Sequence, residues 1–331
     1  MRKLLIAELA GPAHRSGGYL YNSSLAEVLV NRGHAGLLRA DRPEQILTHA
    51  GSCVLLDSLW LSEAPPAHFQ HQLKTADCVL FILGHYYPPA NPSLSDEDKR
   101  RWLACLNSWL PLVQAVIVTG QRAQSDWLEV FPRHQIHRAA PAIQVRPKNQ
   151  DSDRDSLQFM TIGAVTEAKL PLALIRSLGC LGDLQFQWVL VGSTTIDSSH
   201  YASCVRAIEQ AGLSDRIAFV GELSHDETLN RLASADAYLA TSVFESFGIA
   251  SAEALASGLP LIGFDAGDLK FWAPDHPGCR LFSYNDAPGF TAELKRWIRG
   301  GRASLPPPPR GLAFNPCWEK TADELLQGVG S

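Results

Sequence analysis

Nine short, mainly apolar runs punctuate the chain, and the segments between them carry helical spacing. Four runs lie in the first half, at residues 4–9, 53–56, 78–83 and 114–119. Five lie in the second, at 159–162, 188–191, 217–220, 237–240 and 259–264. A strand that is apolar without alternation must be buried on both faces, which is the condition of a parallel sheet covered by helices. The intervening segments supply those helices. Tyr21, Leu25, Val28 and Leu29 recur at helical spacing, and Gly33 stands where a C-cap belongs. Tyr201, Val205 and Ile208 form a second stripe closed by Gly212, and Ser224-x-x-Glu227 is a capping box ahead of Leu229 and Leu232. Asn315-Pro316 predicts an N-cap and N1 proline for a last helix from about residue 317 to 327.

Strand–helix alternation of this kind implies a doubly wound α/β fold. It occurs twice, on either side of the polar stretch P-K-N-Q-D-S-D-R-D-S at residues 147–156. The expectation is two Rossmann-like domains, 1–148 and 149–314, followed by a C-terminal helical segment, 315–331. Two such domains facing each other leave a cleft between the carboxyl ends of their sheets, where ligands of this fold bind.

Charge narrows the function classes. Residues 1–150 carry 15 basic and 12 acidic side chains with eight histidines, net +3, and residues 151–331 carry 14 basic and 22 acidic, net −8. Neither half has the cationic footprint of a nucleic-acid binder. The mild positive balance of the first half would favour an anionic ligand. Seven dispersed cysteines with no C-x-x-C pair fit a reducing, cytoplasmic setting better than a disulfide framework. The opening M-R-K-L-L-I-A-E-L-A reads as a first strand, because Glu8 interrupts the apolar stretch that a signal peptide needs. No apolar run is long enough to span a bilayer, so membrane contact is at most peripheral.

The densest chemical signal is T-S-V-F-E-S-F-G-I-A-S-A-E-A-L-A-S-G-L-P-L-I-G-F, residues 241–264. A strand ends, Glu245 lies in the loop, Gly248 permits a close turn, and a helix begins with Glu253 in its second turn. Free N–H groups near Ser246, Phe247, Gly248 and Ile249 can bind an anion, helped by the helix dipole. Taken alone, an acidic residue before a helix is an ordinary first-turn neighbour.

The wider context resembles the family 4 glycosyltransferases, retaining enzymes of the two-domain GT-B fold that use nucleotide-sugar donors. Glu245 and Glu253 match the family's paired glutamates, flanked by A-D-A-Y-L-A-T-S and E-A-L-A-S-G-L-P-L-I. G-L-S-D-R-I-A-F-V-G-E-L-S and S-G-G-Y-L-Y-N-S-S-L-A-E-V-L-V-N-R-G-H match further segments. The resemblance implies that Glu253 binds the donor ribose and that Glu245 contacts the transferred sugar. It implies that Lys169 steadies the leaving diphosphate, the work of a metal ion in other transferases. Gly17 and Gly18 would let the backbone approach the donor, and His85, following a buried strand, would stand near the donor sugar. His14 is a further candidate. The last helix would pack back on the N-terminal domain. No metal or cofactor is implied; a UDP- or GDP-sugar is the donor substrate, and the acceptor is a carbohydrate, lipid-linked or small molecule.

Departures from the family pattern are specific. Ala164 and Leu170 replace an arginine and a glycine around Lys169, and Ala266-Gly267 replaces a glycine pair. Diphosphate binding would then lean on Lys169 and helix N–H groups, unless Arg15 or Arg122 contributes. These losses motivate two alternatives: a weakened nucleotide-sugar-binding subunit of the same fold, and a sugar-nucleotide epimerase. Asp151-Ser152-Asp153 matches a D-x-D metal motif but falls in the polar linker and is read as solvated chain. Trp102, Trp109 and Trp127 are read as helix packing rather than an acceptor surface.

Overall fold

A computed structural model describes residues 2–10, 17–149, 155–182, 184–272, 276–308 and 312–330. His14, Arg15 and Asp151-Ser152-Asp153 lie outside the described residues. The chain forms two compact units, one holding the residues up to Ala142 with those from Asn315 on, the other Ile143–Phe314. The sequence reading set the first boundary six residues later. Residues 143–149 go with the second unit because they are bonded to it: the Asn149 N–H donates to the Ala233 carbonyl and Arg146 pairs with Asp226.

The first unit contains β1 (Leu4–Leu9), α1 (Gly17–Asn31), β2 (Gly36–Ala40), β3 (Cys53–Asp57), α2 (Phe69–Thr75), β4 (Val79–Gly84), α3 (Asp96–Trp109), β5 (Val113–Val118), α4 (Gln121–Trp127) and β6 (Ile136–Arg138). Its strands pair in parallel in the order β2-β1-β3-β4-β5-β6. Alternate residues of each strand enter opposite cores: Leu5 and Ala7 one, Leu4 and Ile6 the other. Both faces are therefore dry, as the apolar runs require. Trp102, Trp109 and Trp127 are buried in the first of these cores, as read from their helical setting.

The second unit contains β7 (Leu157–Ile162), α5 (Leu172–Ser177), β8 (Phe186–Val191), α6 (Ser198–Gln210), β9 (Ile217–Phe219), α7 (His225–Ala233), β10 (Ala237–Ala240), α8 (Ile249–Ala256), β11 (Leu261–Phe264), α9 (Leu269–Trp272), β12 (Cys279–Phe282) and α10 (Ala287–Gly300). The parallel order is β12-β11-β10-β7-β8-β9. Strands β2, β6 and β12 add to the nine read from apolar runs, and all three lie at sheet edges. The Ser224–Glu227 capping box forms as read.

The last helix, α11 (Trp318–Gly328), belongs to the first unit and packs Ala322 and Leu325 into the core that holds Leu25, Ala26 and Leu29 of α1. Its start corrects the sequence reading. Cys317, not Asn315, occupies the N-cap position, because the Asn315 side chain is engaged elsewhere and donates to the Ala140 carbonyl at 2.9 Å. All seven cysteines carry free thiols. Among the described residues no helix is long and apolar enough to cross a membrane.

Candidate functional site

In the second unit the chain runs from β7 outward to β9, then returns to lay β10 on the other side of β7. Loops leaving two such neighbours diverge at their carboxyl ends, and the resulting crevice is the usual ligand site of an open α/β sheet. The loop after β7 carries Lys169, and the loop after β10 carries Glu245. Two bonds tie them: the Val243 N–H donates to the Ala168 carbonyl at 2.8 Å, and the Thr241 hydroxyl to the Lys169 carbonyl at 2.6 Å. Lys169 Nζ consequently lies 2.5 Å from Glu245 Oε1, with both side chains partly exposed. The two residues that sequence reading placed on diphosphate and sugar form one charge-assisted pair.

Substitutions at the family's flanking positions have local reasons. Leu170 is buried in the core beneath the loop, and its carbonyl accepts from His200 Nε2 at 2.9 Å. Gly192 after β8 crosses the β7 loop so closely that a Cβ there would lie 2.1 Å from the Gly163 oxygen. Ala164 places no charge beside Lys169. Arg122, in the other unit, is held by both carboxylate oxygens of Asp126 at 2.9 and 3.0 Å.

Helix α8 opens from Gly248, whose φ of 98° is left-handed, and no side chain caps it. Its first N–H groups are thus left for another acceptor at the positive end of the dipole. Phe247 is buried edge-on against Trp272, with ring centres 4.7 Å apart. Ser246 and Ile249 are partly exposed on either side. Gly267 also has positive φ, and a Cβ there would stand 2.7 Å from both Glu245 Cβ and the Phe247 oxygen. The Ala266-Gly267 turn therefore braces the loop that carries Glu245.

Glu253 lies in the second turn of α8, almost wholly buried, and accepts from His225 Nε2 at 2.7 Å. Burial pushes the Glu253 carboxyl up against the opposing pull of His225. The same bond raises the His225 imidazole. Sequence reading missed His225; the capping box put it at the start of α7, but nothing in the spacing joins it to residue 253.

The first unit has its own strand reversal, between β1 and β3. Glu8, the next-to-last residue of β1, is one register step past the Ala7–Leu56 pair, so it stands beside Asp57 at the end of β3. Asn22 of α1 donates to both, to Glu8 Oε2 at 3.1 Å and Asp57 Oδ2 at 2.7 Å. All three are buried. Arg39 closes on Glu8 at 2.7 Å, and the Leu59 N–H donates to Asp57 Oδ1. The Tyr19 phenol is raised by burial and then by these two acids.

His85, just beyond β4, lies 2.8 Å from Asn22 Oδ1 through Nε2. Gly17 and Gly18 form the first turn of α1, and a Cβ on Gly18 would sit 3.7 Å from the His85 ring. Two features read independently from the sequence, the glycine turn and the histidine, are thus packed together. Burial lowers the His85 imidazole, with Asp57 opposing. Two buried acidic side chains, one of them paired with Arg39, stand at this end of the sheet, whatever the net +3 of that half of the chain.

Residues 143–276 match the family model described as glycosyl transferases group 1. A D-inositol 3-phosphate glycosyltransferase of Mycolicibacterium vanbaalenii is 25% identical over 189 residues, covering 54% of this chain and 41% of the relative. A 2-deoxystreptamine glucosyltransferase of Streptomyces kanamyceticus is 33% identical over 140 residues, 42% of this chain and 34% of the relative. The chain spans less than half the length of these two curated relatives. Among solved structures, Anabaena Alr3699/HepE in complex with UDP and glucose superposes with a TM-score of 0.76 at 14% identity, covering 100% of both chains. Sucrose-phosphate synthase from Thermosynechococcus elongatus gives 0.72 at 16% identity, over 99% of this chain and 94% of that one. The fold is GT-B, and the match to the glycosyl transferases group 1 model falls within its C-terminal unit and covers less than half of the chain.

Proposed function

We propose that this protein is a glycosyltransferase that moves a sugar from a nucleotide-sugar donor, a UDP- or GDP-sugar, to a hydroxyl-bearing acceptor, in the cytoplasm. The observation that carries the reading is the Lys169–Glu245 pair standing on the strand reversal of the second unit, beside the uncapped start of α8. That arrangement offers a cation and backbone donors to a diphosphate, and a carboxylate to sugar hydroxyls. Glu253, steadied by His225, addresses the ribose. Relatives crystallised with UDP and glucose support the donor class.

Lys169 and the helix N–H groups stabilise the charge that collects on the leaving diphosphate, so the reaction proceeds without a divalent cation. Transfer retains configuration. The acceptor oxygen attacks the anomeric carbon on the face that the diphosphate leaves, the C–O bond to phosphate breaks, and a departing phosphate oxygen takes the acceptor proton. Charge, atoms and electrons balance with the protein supplying position and electrostatics. The first unit, with His85 and the Gly17–Gly18 turn, serves the acceptor.

A melting-temperature panel of UDP, GDP and ADP, each with its glucose conjugate, tests the donor assignment, because a ligand of the folded state raises stability. Product NMR then reads the anomeric configuration with EDTA present. Binding without turnover against any acceptor leaves a nucleotide-sugar-binding subunit, the reading that Ala164 favours. An altered free nucleotide sugar would mean an epimerase.

A further inference from the structure

We infer that His200 is the positioning residue of the Lys169 loop: it fixes the backbone that follows Lys169, and through it the place of the ammonium group. His200 lies in the first turn of α6, and Asp197 Oδ1 caps that helix by accepting from the His200 N–H at 2.9 Å. The backbone of the histidine is thereby pinned, and its ring is almost wholly buried. The ring reaches the loop after β7 at two points, with Nε2 2.9 Å from the Leu170 carbonyl oxygen and Nδ1 3.3 Å from Glu167 Oε2. A carbonyl only accepts, so the first contact requires the hydrogen on Nε2. The other neighbour of Nε2, the Cys204 sulfur at 3.3 Å, is a weak partner. Burial pushes that thiol up to about 11, so the sulfur keeps its own hydrogen at neutral pH.

The bond matters because of where it falls. The carbonyls of Lys169 and Leu170 are consecutive, and each is taken by a different neighbour of β7. The Thr241 hydroxyl, after β10, donates to the first at 2.6 Å, and His200, after β8, donates to the second. The N–H groups of the same two residues both return to the Thr166 carbonyl, at 3.0 and 2.8 Å. Pro171 follows Leu170, so the peptide unit between them has no N–H, and its carbonyl is the one polar handle by which it can be held. Leu170 is buried, and a buried carbonyl stripped of its donor must turn toward water or remain unpaired at a cost. Either way the peptide next to Lys169 loses its fixed direction.

Lys169 is thus held from both sides of its strand, by a hydroxyl on one and an imidazole on the other. Thr241 alone would leave the stretch from Leu170 into α5 free to move the lysine stem. The consequence for a bound diphosphate rests on the glycosyltransferase reading, whereas the clamp on the loop stands on the hydrogen bonds alone.

The test compares the full wild-type chain with His200→Leu, which removes the donor, and His200→Gln, which returns an amide N–H to the place of Nε2. Ile208→Val, buried in the same helix, sets what a loss of core packing does by itself. Without any ligand, hydrogen exchange reads the Lys169, Leu170 and Val243 amides, each variant being held equally far below its own melting temperature. Exchange should be about tenfold faster in His200→Leu and close to wild type in His200→Gln and Ile208→Val. Unchanged exchange in His200→Leu, or the same acceleration in Ile208→Val, overturns the clamp. Proton–nitrogen correlation NMR of the wild type needs no variant at 200 beyond the assignment by His200→Gln; an Nε2 without its hydrogen overturns the clamp as well. Titration with UDP then reads the consequence: affinity should fall about tenfold in His200→Leu and recover in His200→Gln. Faster exchange with unchanged UDP affinity would overturn the positioning of Lys169 for a diphosphate. A wild type that binds no UDP would instead sink the donor assignment, with the clamp still decided by exchange.

Discussion

Lys169 and Glu245, 76 residues apart in sequence, meet at 2.5 Å because the loops after two adjacent strands are sewn together by backbone bonds. The pair has a consequence for ligand binding whose sign differs between its members. Lys169→Ala removes the cation and leaves Glu245 facing the phosphate. Loss of one charge-assisted contact, about 1.5–3 kcal/mol, corresponds to a ten- to hundredfold weaker UDP affinity. Glu245→Ala frees the lysine, so UDP, which has no sugar for Glu245 to hold, should bind at least as tightly as to the wild type. Calorimetric titration with UDP checks both. Weaker binding in Glu245→Ala would contradict the division of labour between the two side chains.

Gly267 and Gly258 both have positive φ, 61° and 86°, so alanine at either carries the same kind of backbone strain, about 1–2 kcal/mol. Their surroundings differ. A Cβ at 258 meets nothing within 4 Å, whereas one at 267 presses on Glu245 Cβ and the Phe247 oxygen. Gly267→Ala should therefore lose UDP-glucose affinity and turnover well beyond Gly258→Ala, and melt lower than it. Equal affinities for the two variants would show that the 267 turn does not brace the site.

What was legible in the sequence follows from which forces are local. Interior strands such as β1 and β10 are desolvated on both faces, and a run such as L-L-I-A or A-Y-L-A states that directly. Strands β2 (G-L-L-R-A), β6 (I-H-R) and β12 (C-R-L-F) have a neighbour on one side only. Their exposed edge admits arginine and histidine, and that breaks the pattern. The loop–helix element around Gly248 was readable because turn, helix start and both glutamates lie within 13 residues. Asn22 was not, since its bonds to Glu8, Asp57 and His85 depend on strand order, which no local spacing encodes. Glu8 was visible only as an interruption of an apolar run. Its burial beside Asp57 explains why a strand end carries an acid at all.

The closing helix supplies a stability prediction. Leu325 of α11 is fully buried in the core shared with Leu25 and Leu29. Leu325→Ala removes a packed side chain and leaves a cavity, at a cost of about 2–5 kcal/mol. Hydrogen exchange localises the effect: amides of α1 and α11 should exchange faster, while those of β7 and β10 in the other unit keep wild-type protection. Uniform acceleration across both units would mean that α11 stabilises more than the core it enters.

The His225–Glu253 pair gives a pH dependence. His225 in the folded protein is raised above its ordinary 6.5 by its bond to Glu253, so its contribution is complete below that value and fades as pH climbs through the raised one. Glu253 is also raised, because burial outweighs the pull of His225, so it needs the charged partner most once it has ionised. Where both groups are charged, the pair has its full charge-assisted strength. His225→Gln keeps a neutral donor for Glu253 and removes only the titrating charge. The wild type should then be more stable than His225→Gln by about 1–2 kcal/mol near pH 6, with the gap closing by about pH 9. Urea unfolding at the two pH values measures it. A gap of the same size at both would mean that His225 serves Glu253 by hydrogen bonding and shape alone, with no contribution from its charge.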